Sequence, residues 1–167
     1  MLAKTLKPIL SATALGCLAL GLAPGSAVAA TATTTFAVSA TVQATCVVSA
    51  TPMAFGTYTG VVAAATSTVS VTCTNTTAYN VGLNAGTATG ATVTTRKMTG
   101  PNAAVLAYSL SSDAAHSVNW GQTVGTDTVA GTGNGSAQGL TVYGQVAAGQ
   151  YVAPGAYADT ITATVSY

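Results

Sequence analysis

Tyr157-Ala158-Asp159-Thr160-Ile161-Thr162-Ala163-Thr164-Val165-Ser166-Tyr167 closes the sequence, and its pattern decides how the rest is read. In an extended chain Tyr157, Asp159, Ile161, Ala163, Val165 and Tyr167 share one face. Ala158, Thr160, Thr162, Thr164 and Ser166 share the other. Period-two alternation of apolar against small or polar residues predicts a half-buried β-strand. Neither a turn nor a covering helix follows it, so the strand is expected to offer an unpaired edge of N–H and C=O groups to another chain.

Working back from that strand, nearly every segment alternates in the same way. Phe36, Val38, Ala40 and Val42 alternate with polar or small residues over 35–43. Cys46-Val47-Val48 opens a second segment, and Met53-Ala54-Phe55-Gly56 follows Pro52. Val69, Val71 and Cys73 point one way over 68–74, and Tyr79, Val81 and Leu83 continue the pattern to Gly86. Leu106, Tyr108 and Leu110 form another face, as do Leu140, Val142, Gly144 and Val146. Residues 86–95 and the Gly/Thr/Ser-rich stretch 126–139 are expected to be loops, and Pro154-Gly155 turns the chain into the last strand. Helix signals are nearly absent, and the spacing of Gly, Asn and Pro predicts an all-β sandwich or barrel.

The N-terminus has a different character. Lys4 and Lys7 precede an uncharged apolar run over 9–23, Pro24-Gly25-Ser26 breaks it, and Ala27-Val28-Ala29 supplies small residues for cleavage. Residues 1–29 are therefore expected to be a signal peptide. A lipoprotein start at Cys17 is disfavoured because Leu18-Ala19-Leu20 continues the apolar run. No later stretch is long and apolar enough to span a bilayer as a helix.

Beyond residue 29 the charged side chains are Arg96, Lys97, Asp113, Asp127 and Asp159, with no glutamate. Nucleic-acid binding requires a basic face, and disorder goes with high charge, so both are excluded. A surface of Thr, Ser, Ala, Asn and Gly repels its own copies weakly and suits self-association. Cys46 and Cys73 in an exported chain are most simply a structural disulfide. A reactive thiol would need a basic or histidine neighbour, and neither lies near them in sequence.

Chemistry is poorly represented. His116 is the lone histidine, and with Asp113 it makes neither a metal site nor a catalytic triad, so it is expected at the surface of a loop. Arg96 and Lys97 are expected to be solvated or locally paired. Trp120, Tyr108 and Tyr143 could form a sugar-stacking patch, but half-buried sandwich aromatics are the commoner arrangement. No phosphate loop stands between a strand and a helix. No catalytic residue, metal ligand or cofactor is expected, and the ionisable groups are too few for ordinary acid–base chemistry.

Several short motifs occur in a telling order. Phe55-Gly56-Thr57-Tyr58 is followed by Val69-Ser70-Val71-Thr72-Cys73 and by Arg96-Lys97-Met98 before Leu106-Ala107-Tyr108-Ser109-Leu110. Trp120-Gly121, Val142-Tyr143-Gly144 and Gly155-Ala156-Tyr157-Ala158-Asp159-Thr160 complete the set. Together they resemble the spore coat protein U domain, the pilin domain of Csu-type archaic chaperone–usher pili. That resemblance implies an incomplete immunoglobulin-like β-sandwich lacking its last strand, completed by a donor strand from a chaperone or a neighbouring subunit. It implies residues 30–43 as a donor extension with anchors Phe36, Val38, Ala40 and Val42, and residues 44–167 as the pilin domain. Ala40 departs from the pattern by its small size, which implies a shallow pocket or a weaker joint.

The resemblance also implies that Tyr157, Ile161, Ala163, Val165 and Tyr167 border the acceptor groove, and that Cys46 and Cys73 form the family disulfide. Asp159 fits badly on that apolar face, and a bulge or the strand entrance would place it at solvent. The implied function is a pilus shaft subunit supporting attachment and biofilm formation, with related pilins, a periplasmic chaperone and an outer-membrane usher as partners. It would be exported through the periplasm to the cell surface. The alternatives are a tip-proximal adhesive subunit using loops 86–95 and 126–139, or a spore- or cell-coat protein of the same fold.

Overall fold

The computed structural model describes residues 28–167, so most of the expected signal peptide lies outside the described residues. The chain divides into two units, residues 1–39 and residues 40–167. Of the first, residues 28–39 are described; they carry no helix or strand, and their side chains are exposed.

In the second unit eight strands form two antiparallel sheets. They are β1 Cys46–Ala50, β2 Ala63–Cys73, β3 Ala78–Leu83, β4 Arg96–Thr99, β5 Val105–Ser111, β6 Val129–Thr132, β7 Gln138–Val146 and β8 Ala163–Ser166. The larger sheet runs β1-β2-β7-β5-β4 and the smaller β6-β3-β8. Helical geometry among the described residues is confined to the short turn Pro101–Ala103. None of it is long and apolar enough to cross a membrane.

Alternation in the sequence becomes a two-layer core. Val69, Val71 and Cys73 from β2, Leu106, Tyr108 and Leu110 from β5, and Val142 and Val146 from β7 are buried on one side. Tyr79, Val81 and Leu83 from β3 face them from the smaller sheet. Trp120 fills the space between, 1% exposed, and its indole N–H donates to the Val81 carbonyl at 2.8 Å. Each fully buried apolar side chain contributes roughly 1.5–3 kcal/mol. Gly144 is required within β7 because a Cβ there would overlap Met53 and Phe55.

The expected disulfide joins Cys46 and Cys73, which lie directly opposite each other in the β1–β2 ladder. Where β7 ends, Gln150 continues its ladder with a side chain. Its Oε1 accepts from Ala107 N–H at 2.8 Å, and its Nε2 donates to the Ala107 carbonyl at 2.9 Å.

Residues 35–43, whose expected partner is another copy, belong to no strand within this chain. Three expectations are corrected. The stretch 126–139 is not wholly a connection; β6 lies in it and pairs with β3 from Ala78↔Thr132 to Val81↔Val129. Gly131 suits that place, since a Cβ would strike the Tyr79 ring. The last strand is shorter than 157–167, since only Ala163–Ser166 pairs with β3. Before it the burial alternates as expected, but its backbone joins a ladder only at the bridge Ala158↔Thr99. Finally, His116 is half-buried in its loop, edge-on to Tyr143 with ring centroids 6.3 Å apart.

Candidate strand-accepting groove

Two extended segments run beside the core without pairing with each other. One follows β1 through Thr51, Pro52, Met53 and Phe55 to Tyr58, and the other runs from Gln150 through Tyr157 to Ala163. Between them lies an elongated groove of 580 Å³. Its walls are Ala50, Thr51, Met53 and Phe55 on one side and residues 157–161 with Ala163 on the other. Its floor is the core itself, formed by Val69, Leu83, Tyr108, Leu110 and Val142. A second cavity of 870 Å³ lies between residues 53–60 and 150–157, with Met53, Phe55, Met98 and Tyr157 lining both.

The groove is apolar because its walls belong to two half-finished strands. Met53, Phe55 and Tyr58 turn inward at alternate or near-alternate positions and are only partly buried. The Phe55 ring meets Tyr108 edge-on, with centroids 6.0 Å apart. Among the described residues no backbone–backbone hydrogen bond involves residues 52–59, 151–157 or 159–161. Exposed extended backbone of this kind is a template for strand addition.

The expected groove residues separate into two groups. Tyr157, Ile161 and Ala163 line the groove. Val165 does not; it pairs with Val81 and packs partly buried against the core. Tyr167 lies outside the groove and is 61% exposed. Of the expected donor anchors, Phe36 and Val38 in the first unit and Val42 in the second are each 85% exposed, and Ala40 is exposed too. A run of apolar side chains held out to water is unusual for a soluble surface.

Charge placement departs furthest from expectation. Asp159 is not turned to solvent but half-buried in the groove wall. Its carboxylate accepts from Tyr108 O–H at 2.7 Å, from Thr87 N–H at 2.8 Å and Thr87 Oγ1–H at 2.9 Å, and from Thr160 N–H at 2.8 Å. Burial pushes its pKa up, but these hydrogen bonds together outweigh burial and hold it below the usual carboxylate value. Burial, then the bond to Asp159, pushes the Tyr108 phenol well above its ordinary range.

Arg96, expected to be solvated or locally paired, is buried. Its guanidinium donates to the carbonyls of Asn84 at 2.8 Å, Val93 at 2.6 Å, Leu83 at 2.9 Å and Trp120 at 2.7 Å. Burial lowers its pKa, and the nearby Tyr108, Asp127 and Asp159 oppose that shift. Arg96 thus ties β4 of the larger sheet to the end of β3 in the smaller. A sugar-stacking patch does not form, because Trp120 and Tyr108 are 1% and 7% exposed. Residue type alone could not reveal the wall residues Met53, Phe55 and Met98. The signal that could have found Asp159 was a lone carboxylate on an apolar face in a chain nearly without charge.

The arrangement is that of an immunoglobulin-like sandwich with one strand position open beside its core. The chain belongs to the Spore Coat Protein U domain family, whose model matches residues 32–164. No curated protein sequence matches it. Among solved structures it is similar to a chain of the CsuC–CsuE chaperone–tip adhesion subunit pre-assembly complex from archaic chaperone-usher Csu pili of Acinetobacter baumannii. The TM-score is 0.54 at 20% identity, over 76% of this chain and 40% of that one, so this chain spans about two-fifths of its structural neighbour. The likeness is one of fold.

Proposed function

We propose that this chain is a structural, non-catalytic subunit of a chaperone–usher pilus. It polymerises when the 30–43 extension of one copy enters the groove of the next. Residues 44–167 then act as the pilin domain and Phe36, Val38, Ala40 and Val42 as anchors. The observation that carries this reading is the pairing, within one chain, of an apolar groove lacking a strand and an exposed alternating segment able to serve as one. Three large anchors buried at roughly 1.5–3 kcal/mol each, together with new backbone hydrogen bonds, make a tenacious joint.

Support also comes from the neighbour's presence in a chaperone–tip adhesion subunit pre-assembly complex. A periplasmic chaperone would cover the groove before assembly, an outer-membrane usher would pass subunits outward, and the shaft would support attachment and biofilm formation at the cell surface. The near absence of charge lets copies pack end to end with little repulsion. The test is the double replacement Phe36→Asp with Val38→Asp in the full chain expressed with its secretion machinery. Fibres should be lost while the subunit remains folded; fibres of normal length and abundance would refute the donor role.

A further inference from the structure

One wall of the groove spans the gap between the two sheets. Ala158 bridges to Thr99 at the edge of the larger sheet, whereas Ala163 pairs with Leu83 in the smaller. Over residues 159–161 the chain passes from one to the other, and Asp159 sits at the crossing. Its carboxylate holds Tyr108 of β5 in the larger sheet and Thr87 of the loop that leaves β3 at once. Gly86, at φ +86°, leaves the space this requires, because a Cβ there would overlap the carboxylate. A short step further on, Asn84 N–H donates to the Thr162 carbonyl and Asn84 Oδ1 accepts from Thr162 N–H at 2.9 Å.

We infer that Asp159 is the positioning residue of the strand-accepting edge: by clasping β5 and the loop after β3 together it holds residues 157–161 at the spacing at which an added strand can pair. This rests on the reading of the groove as a strand acceptor and goes beyond it by naming what keeps the empty groove open. Nothing in the apolar wall does so by itself. Ile161 lines the groove beside Leu83, and the hydrophobic effect favours its collapse onto the floor when no strand is present. Three hydrogen bonds to an ionised acceptor from outside the segment, one from Tyr108 of β5 and two from Thr87 in the loop after β3, oppose that collapse and leave the edge pre-organised for its partner.

The experiment uses the full mature chain and a labelled synthetic peptide of its own residues 30–45 as the incoming strand. Uptake rate is measured alongside the unfolding midpoint for the parent, Asp159→Ala, Asp159→Asn and Gly86→Ala. In Asp159→Ala, uptake should slow by roughly tenfold to a hundredfold, the scale of losing charge-assisted hydrogen bonds. Asp159→Asn, which retains an acceptor for Thr87, should recover a large part of that loss. Gly86→Ala, which displaces the carboxylate without removing it, should resemble Asp159→Ala. If the parent takes up peptide and all three variants do so at its rate, the clasp is refuted while the groove reading stands. Slowing that merely follows the fall in unfolding midpoint, with no recovery in Asp159→Asn, also refutes it. Failure of the parent itself to take up peptide overturns the groove reading.

Discussion

Replacing Arg96 by methionine removes a guanidinium that bonds four carbonyls and keeps most of the aliphatic volume. The two bonds from Nη2, to Leu83 and Trp120, lie in the buried core, whereas those to Asn84 and Val93 are part-buried. Carbonyls near the surface can recover water, so the main cost falls on the buried pair. Each buried acceptor left unsatisfied costs about 1–3 kcal/mol, or roughly 2–6 kcal/mol for both. Removing the buried charge returns part of its desolvation, leaving a net destabilisation of about 2–4 kcal/mol. For a domain of this size, that corresponds to a fall in Tm of roughly 6–20 °C. Trp120 is the sole tryptophan and its own carbonyl is one of the partners, so its fluorescence reports the transition directly. Arg96→Lys should lie between, because a point ammonium cannot span a fork of four acceptors. A loss below about 1 kcal/mol for Arg96→Met would show that the carbonyls find other partners and that Arg96 does not join the sheets.

Two further outcomes are expected. Removing the Cys46–Cys73 bond by double alanine replacement, across a separation of 27 residues, should cost roughly 3.5 kcal/mol in denaturant unfolding; an unchanged midpoint would refute the chain-entropy account. Because the Asp159 pKa is depressed in the folded state, its stabilisation is present above the ordinary carboxylate pKa and disappears as pH falls through the folded value. Asp113 is lowered as well, chiefly by the Ser117 hydroxyl and the Val118 N–H. Each of Asp159→Asn and Asp113→Asn should therefore flatten part of the decline in Tm as the pH falls below the ordinary carboxylate pKa, and a decline identical to the parent's would contradict the assignment.

Much of the sandwich was legible because a half-buried strand writes its inward face at every second residue. Val69 to Cys73, Leu106 to Leu110 and Leu140 to Val146 carry that pattern, and all lie in ladders of the larger sheet. Alternation reports a face and not a partner. It therefore ran too far in residues 157–162, whose side chains alternate in burial while their backbone joins a ladder only at the Ala158 bridge to Thr99. β6 was hidden by composition, since Val129-Ala130-Gly131-Thr132 looks like its Gly-rich surroundings until the Tyr79 ring explains the glycine. The charged residues misled most. Arg96 and Asp159 are buried or half-buried because carbonyls, hydroxyls and N–H groups distant in sequence converge on them, and no local pattern records that convergence.

Gln150 carries a consequence for fidelity. On the proposed function the domain takes a foreign strand at one place, and the side of β5 abandoned by β7 would offer it a second. By presenting its amide as a counterfeit peptide unit, Gln150 occupies both hydrogen-bonding groups of Ala107. A strand arriving there would find that rung already taken, and on the proposed function its docking would be steered to the groove beside the core, where its side chains as well as its backbone have somewhere to go.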